Sequence, residues 1–148
     1  MESNYQVLSL LFKYFGVSEY AKGANPTILA WIRKYFPKAK DDNDYSWCSI
    51  GLISILSENE RFKQQILESR IDPMARSWLR LPSDVFEAQP GDIVILSRGT
   101  GLSGHVGVFL GENFNNKNQI NLIGCNQSDS VSIASFDKSR ILGVRRLI

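Results

Sequence analysis

The sequence has few of the residues that ordinarily carry catalysis or bind metals. Its 148 residues include one histidine, His105, and two cysteines, Cys48 and Cys125. So small a set leaves no plausible zinc site, and neither a metal nor a cofactor is expected. Two lone thiols in a reducing compartment argue against a disulfide, so each cysteine is read separately. Long apolar runs are missing too: nothing approaches the roughly 20 residues that span a bilayer, and Glu2 stands where a secretion signal would carry positive charge. The product is expected to be made soluble in the cytoplasm, with delivery by another agent if its substrate lies outside the inner membrane.

An excess of charge of one sign is also lacking. Seventeen basic against fifteen acidic residues give a net charge of +2, too little and too scattered for a nucleic-acid stripe. Arg145 and Arg146 form the only adjacent pair of arginines and are read as exposed strand residues. A mildly basic surface suits an anionic polymer, while no nucleic-acid or membrane partner is expected. With 43% hydrophobic and 22% charged residues the chain is an ordinary globular protein, which excludes disorder, collagen and coiled coil. Residues 1–148 are expected to form one domain that buries about 70% of the surface of its unfolded form.

The first half of the chain has helical periodicity. Val7, Leu8, Leu10, Leu11 and Phe15 share one face of a helix that Gly16 ends. Asn25 and Pro26 form a cap and first position for a helix over residues 26–35. After the polar run 40–44, Ser46 is expected to cap a helix over 47–56 that is apolar all round and therefore central. Residues 60–68 read as a further helix, and Asp72-Pro73 as the start of another reaching Leu79. From Gly91 the texture changes to short β-type runs at 92–96, 105–110, 119–123, 130–133 and 141–147, separated by Gly, Asn and Ser. Helices followed by an antiparallel sheet make an α+β architecture.

Chemistry narrows to two residues. Cys48 lies in the first turn of the apolar helix, where unpaired N–H groups and the helix dipole stabilise a thiolate and can hold an oxyanion. Cysteine elsewhere is usually a small buried hydrophobe, and Cys125 is read that way. His105 starts a strand between glycines that let a backbone or substrate approach closely. A thiolate nucleophile needs a base and a group that orients the base. Asn126 and Gln127 are both candidates for that third role, since strand alternation brings one of them to the imidazole.

Five words in order, Asp44-Tyr45-Ser46-Trp47-Cys48-Ser49, Ala75-Arg76-Ser77-Trp78-Leu79, Pro90-Gly91-Asp92-Ile93-Val94, Gly104-His105-Val106-Gly107 and Gly124-Cys125-Asn126-Gln127-Ser128, cover most of the chain. Their order and spacing resemble the NlpC/P60 and CHAP-like superfamily of cell-wall cysteine hydrolases, especially its small phage-lysin branch. The resemblance implies a papain-like fold, with N-terminal helices packed on a C-terminal antiparallel sheet. It implies Cys48 as nucleophile, His105 as base and Asn126 as the orienting residue. Trp47, Gly104 and Gln127 are the expected substrate contacts. Three positions depart from the family: Gly124 where some relatives carry an acid, Cys125 where the branch has glycine, and a longer stretch from Ser57 to Arg70.

The expected activity is therefore cleavage of an amide bond in the peptide stem of peptidoglycan by a monomeric amidase or endopeptidase. The setting is either a phage-type lysin or an antibacterial effector paired with an immunity protein, acting in the periplasm or cell wall. The rival expectation is an inactive wall-binding or interaction domain of the same fold.

Overall fold

A helix with no polar face has to be enclosed, and the residues of α3 (Cys48–Leu56) are all buried. Around it the computed structural model, which describes residues 2–148, arranges three more α-helices. These are α1 (Glu2–Lys13), α2 (Pro26–Arg33) and α4 (Glu60–Glu68), with a 3₁₀ helix at Ala75–Arg80. The expected start at Asp72-Pro73 thus yields a tighter and later helix. Asn25 caps α2 by accepting from the Thr27 N–H, as its sequence position predicts, and Asn59 caps α4 in the same way. Gly16, at φ 91°, lets the chain turn after α1.

The second half forms one antiparallel sheet of β1 (Ile93–Ser97), β2 (Gly104–Glu112), β3 (Gln119–Gln127), β4 (Ser130–Asp137) and β5 (Ile141–Arg145), in the order β4-β3-β2-β1-β5. The α+β class read from the sequence is therefore the class of the molecule. Alternation gives the sheet two apolar faces. Ile93, Ile95, Val106, Val108, Ile123 and Cys125 pack into the helix-side core, whereas Val94, Leu96, Phe109, Ile120 and Leu122 form a second cluster on the outer face. The helices approach the sheet closely at one point. A Cβ on Gly51 would lie 2.7 Å from Cys125 Sγ, so α3 crosses β3 there only because it carries glycine.

One correction concerns Arg146. It is not a solvated strand residue: its guanidinium makes two bonds of 2.7 Å to Asp92. The Asp92 side chain is fully buried and also accepts from Asn4 Nδ2 and the Gln89 N–H. Asp92 thus ties α1, the turn before β1 and the C-terminal segment together, which makes the Gly91-Asp92 word a structural device. Its neighbour Arg145 bonds Asp84 and the Leu79 carbonyl. No helix among the described residues is long and apolar enough to cross a membrane.

Candidate active site

Cys48 is the first residue of α3, one position later than expected. The N-cap is Trp47, with no side-chain cap bond, so the positive end of the dipole is left without a competing side-chain acceptor. Ser46 does not cap the helix; its hydroxyl lies 3.9 Å from Cys48 Sγ. The thiol is 2% exposed and borders a cavity of about 200 Å³ whose lining includes Ser46, Ala75, Arg98, Ser103 and Gly104. Gly104, an expected substrate contact, shares that lining with Cys48. A larger cavity of about 520 Å³ lies on the outer sheet face against Val94, Phe109 and Ile120, and neither cysteine nor histidine lines it.

Trp47 cannot contact a substrate in this conformation. It is fully buried, its indole N–H donates to Glu19 at 2.9 Å, and its ring packs 6.1 Å from that of Trp31. The aromatic beside Cys48 therefore anchors the start of α3 in the core.

His105 is the second residue of β2, opposite Leu96. Its ring stacks on Phe136 with centroids 5.2 Å apart, which places it with the outer cluster, whereas Cys48 belongs to the helix-side core. Imidazole Nε2 lies 3.0 Å from Gln127 Oε1. The Gln127 amide nitrogen donates to the carbonyls of Leu122 and Ser132, at 3.1 and 2.6 Å. These two acceptors fix the orientation of the amide, so Oε1 must accept from the ring and Nε2 must carry the proton. Nδ1 then holds a lone pair, and it is buried with no hydrogen-bond partner among the described residues. No hydrogen bond joins it to Cys48.

The side chain that bonds the His105 ring is therefore that of Gln127 and not that of Asn126, the residue expected there, and Gln127 holds the imidazole from within the fold. A β-bulge causes the exchange. Gly124 pairs with Ser132 and Gln127 with Ser130, so Cys125 and Asn126 together oppose Val131. Asn126 absorbs the extra residue at φ 57°, a conformation that asparagine tolerates better than most residues. The bulge returns Gln127 to the face of Gly124. Two glycines clear space for it: a Cβ on Gly124 would meet Gln127 Oε1 at 2.6 Å, and one on Gly107 would meet it at 3.3 Å. Much of the room beside His105 that the glycines create is thus filled by the amide that holds it.

Burial pushes the His105 pKa down to about 4; the Gln127 bond opposes this, and the charges of Arg98 and Arg140 add to it. The ring is a neutral base at physiological pH. If turnover needs that base, the acid limb of the rate profile is expected near pH 4 to 5, well below the 6.5 of an unperturbed histidine. The same shift makes a stability term: the unfolded chain takes up a proton first, so stability held above pH 6.5 is lost as the pH falls through about 4. A pH–rate profile alongside urea melts checks both.

Cys125 is fully buried, and burial raises its thiol pKa, with a smaller contribution from Cys48. Both cysteines are free, and Cys125 is core, as its strand position predicted. Among the described residues no group of three or more His, Cys, Asp or Glu side chains is placed to hold a metal ion. Sequence reasoning missed Arg98, Ser103 and Ala75 as neighbours of the cysteine, because an arginine in a glycine-rich hairpin loop carries no pattern of its own. No family model matches the chain, and no curated protein matches its sequence.

Proposed function

We propose that the protein is a cysteine hydrolase of papain-like, NlpC/P60 or CHAP type that cleaves an amide bond in bacterial peptidoglycan. The observation that supports it most is the state of His105. A buried imidazole whose Nε2–H is held by a fixed amide, and whose Nδ1 lone pair has no partner, pays the cost of an unsatisfied polar atom. A base that must accept a proton during turnover accounts for that cost.

On this reading Cys48 Sγ attacks the carbonyl of the scissile amide after giving its proton to His105. The N–H groups at the start of α3 hold the oxyanion, and the imidazolium returns the proton to the leaving amine. Water, deprotonated by the same ring, then hydrolyses the thioester. The sequence requires Nδ1 and Sγ to come within hydrogen-bond reach once substrate is bound, since contacts of this kind tighten in the Michaelis complex. The peptide stem of the wall is the proposed substrate, and a lysin or a delivered effector is the proposed setting.

A second reading is a binding domain of the same fold without turnover. The placement of His105 in the outer cluster and Cys48 in the helix-side core favours it. Digestion of purified walls with mass spectrometry of the soluble muropeptides separates the two. New fragments carrying a free amine and a free carboxylate at one linkage support the hydrolase. Unchanged walls that retain the protein support the binding domain.

A further inference from the structure

The cavity beside Cys48 lies at the end of the β1–β2 hairpin, and three arginines converge on that end. Arg76 turns its guanidinium to the hairpin itself, bonding the Gly101 carbonyl at 2.8 Å and the Ser103 carbonyl at 3.0 Å. Arg140 bonds the Ser97 carbonyl at 2.9 Å and lies over the Phe136 ring at 5.3 Å. Neither is neutralised by a carboxylate. Arg98 goes further: it is exposed, it lines the Cys48 cavity, and among the described residues its side chain makes neither an ion pair nor a hydrogen bond.

No acidic side chain lines that cavity. The carboxylate nearest to it along the chain, Asp72, is occupied by Arg80 at 3.2 Å and by the Met74 N–H at 2.8 Å. The remaining polar side chains in the lining are the hydroxyls of Ser46 and Ser103, which donate readily to an anion. Guanidinium is the group best matched to a carboxylate, because its planar fork can make two parallel bonds to it. A free guanidinium and two hydroxyls around a small cavity match the needs of one carboxylate, and Cys48 lines the same cavity.

We propose that Arg98 is a specificity residue that binds a carboxylate flanking the scissile amide, so the preferred substrates are acidic peptides. The proposal rests on the reading of Cys48 as nucleophile. It selects, among wall peptides, those in which the carboxyl group beside the bond is free rather than amidated. Arg98 positions the substrate and takes no part in proton transfer.

The test uses N-acetyl-alanyl-γ-D-glutamyl-lysine and two derivatives, one amidated at the glutamyl α-carboxylate and one at the C-terminus. Binding is measured by calorimetry on the Cys48→Ala protein, so that no turnover intervenes, and on the same protein carrying Arg98→Gln or Arg98→Lys. One of the two amidations is expected to weaken binding by about ten- to hundredfold, the range for loss of a charge-assisted hydrogen bond. Arg98→Gln is expected to remove that discrimination, and Arg98→Lys to restore part of it. Equal binding of all three peptides, or discrimination that survives in Arg98→Gln, would overturn the proposal. Cleavage of the same peptides by the unmodified protein is scored separately: discrimination without cleavage counts against the hydrolase and not against the anion site, and cleavage without discrimination does the reverse.

Discussion

Replacement of Cys48 by alanine is expected to bring the clearing of purified cell walls down to the uncatalysed background, at least a thousandfold below the unmodified protein, while leaving the fold in place. The size follows from the proposed role, since no other thiol lines the cavity and loss of a nucleophile removes its covalent route. The fold should tolerate the change because the thiol borders a cavity and its one polar contact among the described residues is a long one, to Ser46. Cys125→Ser is the matched control. It puts a hydroxyl in a fully buried position against Gly51 and is expected to cost about 1–2 kcal/mol of stability, with turnover kept. Turbidity assays and urea melts of the two variants decide. Equal loss of activity in both would mean that the cysteines have been assigned the wrong way round.

The second large effect is expected from Gln127. Its truncation to alanine removes the acceptor of the imidazole Nε2–H and the donor to the carbonyls of Leu122 and Ser132, and the ring loses the bond that sets its tautomer. Turnover is expected to fall by about a hundredfold, less than for Cys48, because the other groups still act when an orienting member is lost. Gln127→Glu should not rescue it. A carboxylate can accept from Nε2 but has no N–H for the two carbonyls, and it would face both with like charge. Asn126→Ala, by contrast, is expected to leave turnover within about twofold and to cost about 1 kcal/mol, because alanine is less at ease at positive φ than asparagine. Steady-state kinetics on a defined muropeptide separates these outcomes, and a larger loss for Asn126→Ala would reverse the assignment.

That reversal also measures how far the sequence could be read. Element type follows from local signals: the caps at Asn25 and Asn59, the all-apolar α3 and the alternating strands are each a matter of a few neighbouring residues. The third member of the site does not, because alternation counted along β3 assumes an unbroken ladder. The bulge that opposes two residues to Val131 is a property of the pairing with β4, and no residue between Gly124 and Gln127 announces it. Trp47 is an expected substrate contact, but its indole N–H is claimed by Glu19, 28 positions away. Arg146 shows the same limit: its partner Asp92 is buried, and no local pattern links the two.

One departure from the pattern of the family that the sequence resembles does acquire a physical reason. Cys125 stands where glycine is usual, and the helix facing it carries Gly51, whose missing side chain makes the space the thiol fills. Substituting Gly51 would require something to move on the strand, so the two positions form one packing unit. The longer stretch from Ser57 to Arg70 forms α4, which buries Phe62 and Ile66 and whose Arg61 and Gln65 bond the Ile148 backbone. It supports the core and the C-terminal segment, and none of its residues lines the Cys48 cavity.

The central claim is that Cys48 forms a covalent bond to the acyl part of a wall peptide. Acid quenching of the unmodified protein during digestion of a muropeptide, followed by peptide mapping by mass spectrometry, tests it directly. An acyl mass is expected on the fragment that contains Cys48, absent from the Cys48→Ala protein and fading together with cleavage as the pH is lowered through the acid limb, where the base that both acylation and deacylation need is protonated. Ongoing cleavage with no adduct at Cys48, or with the adduct at Cys125, would contradict it.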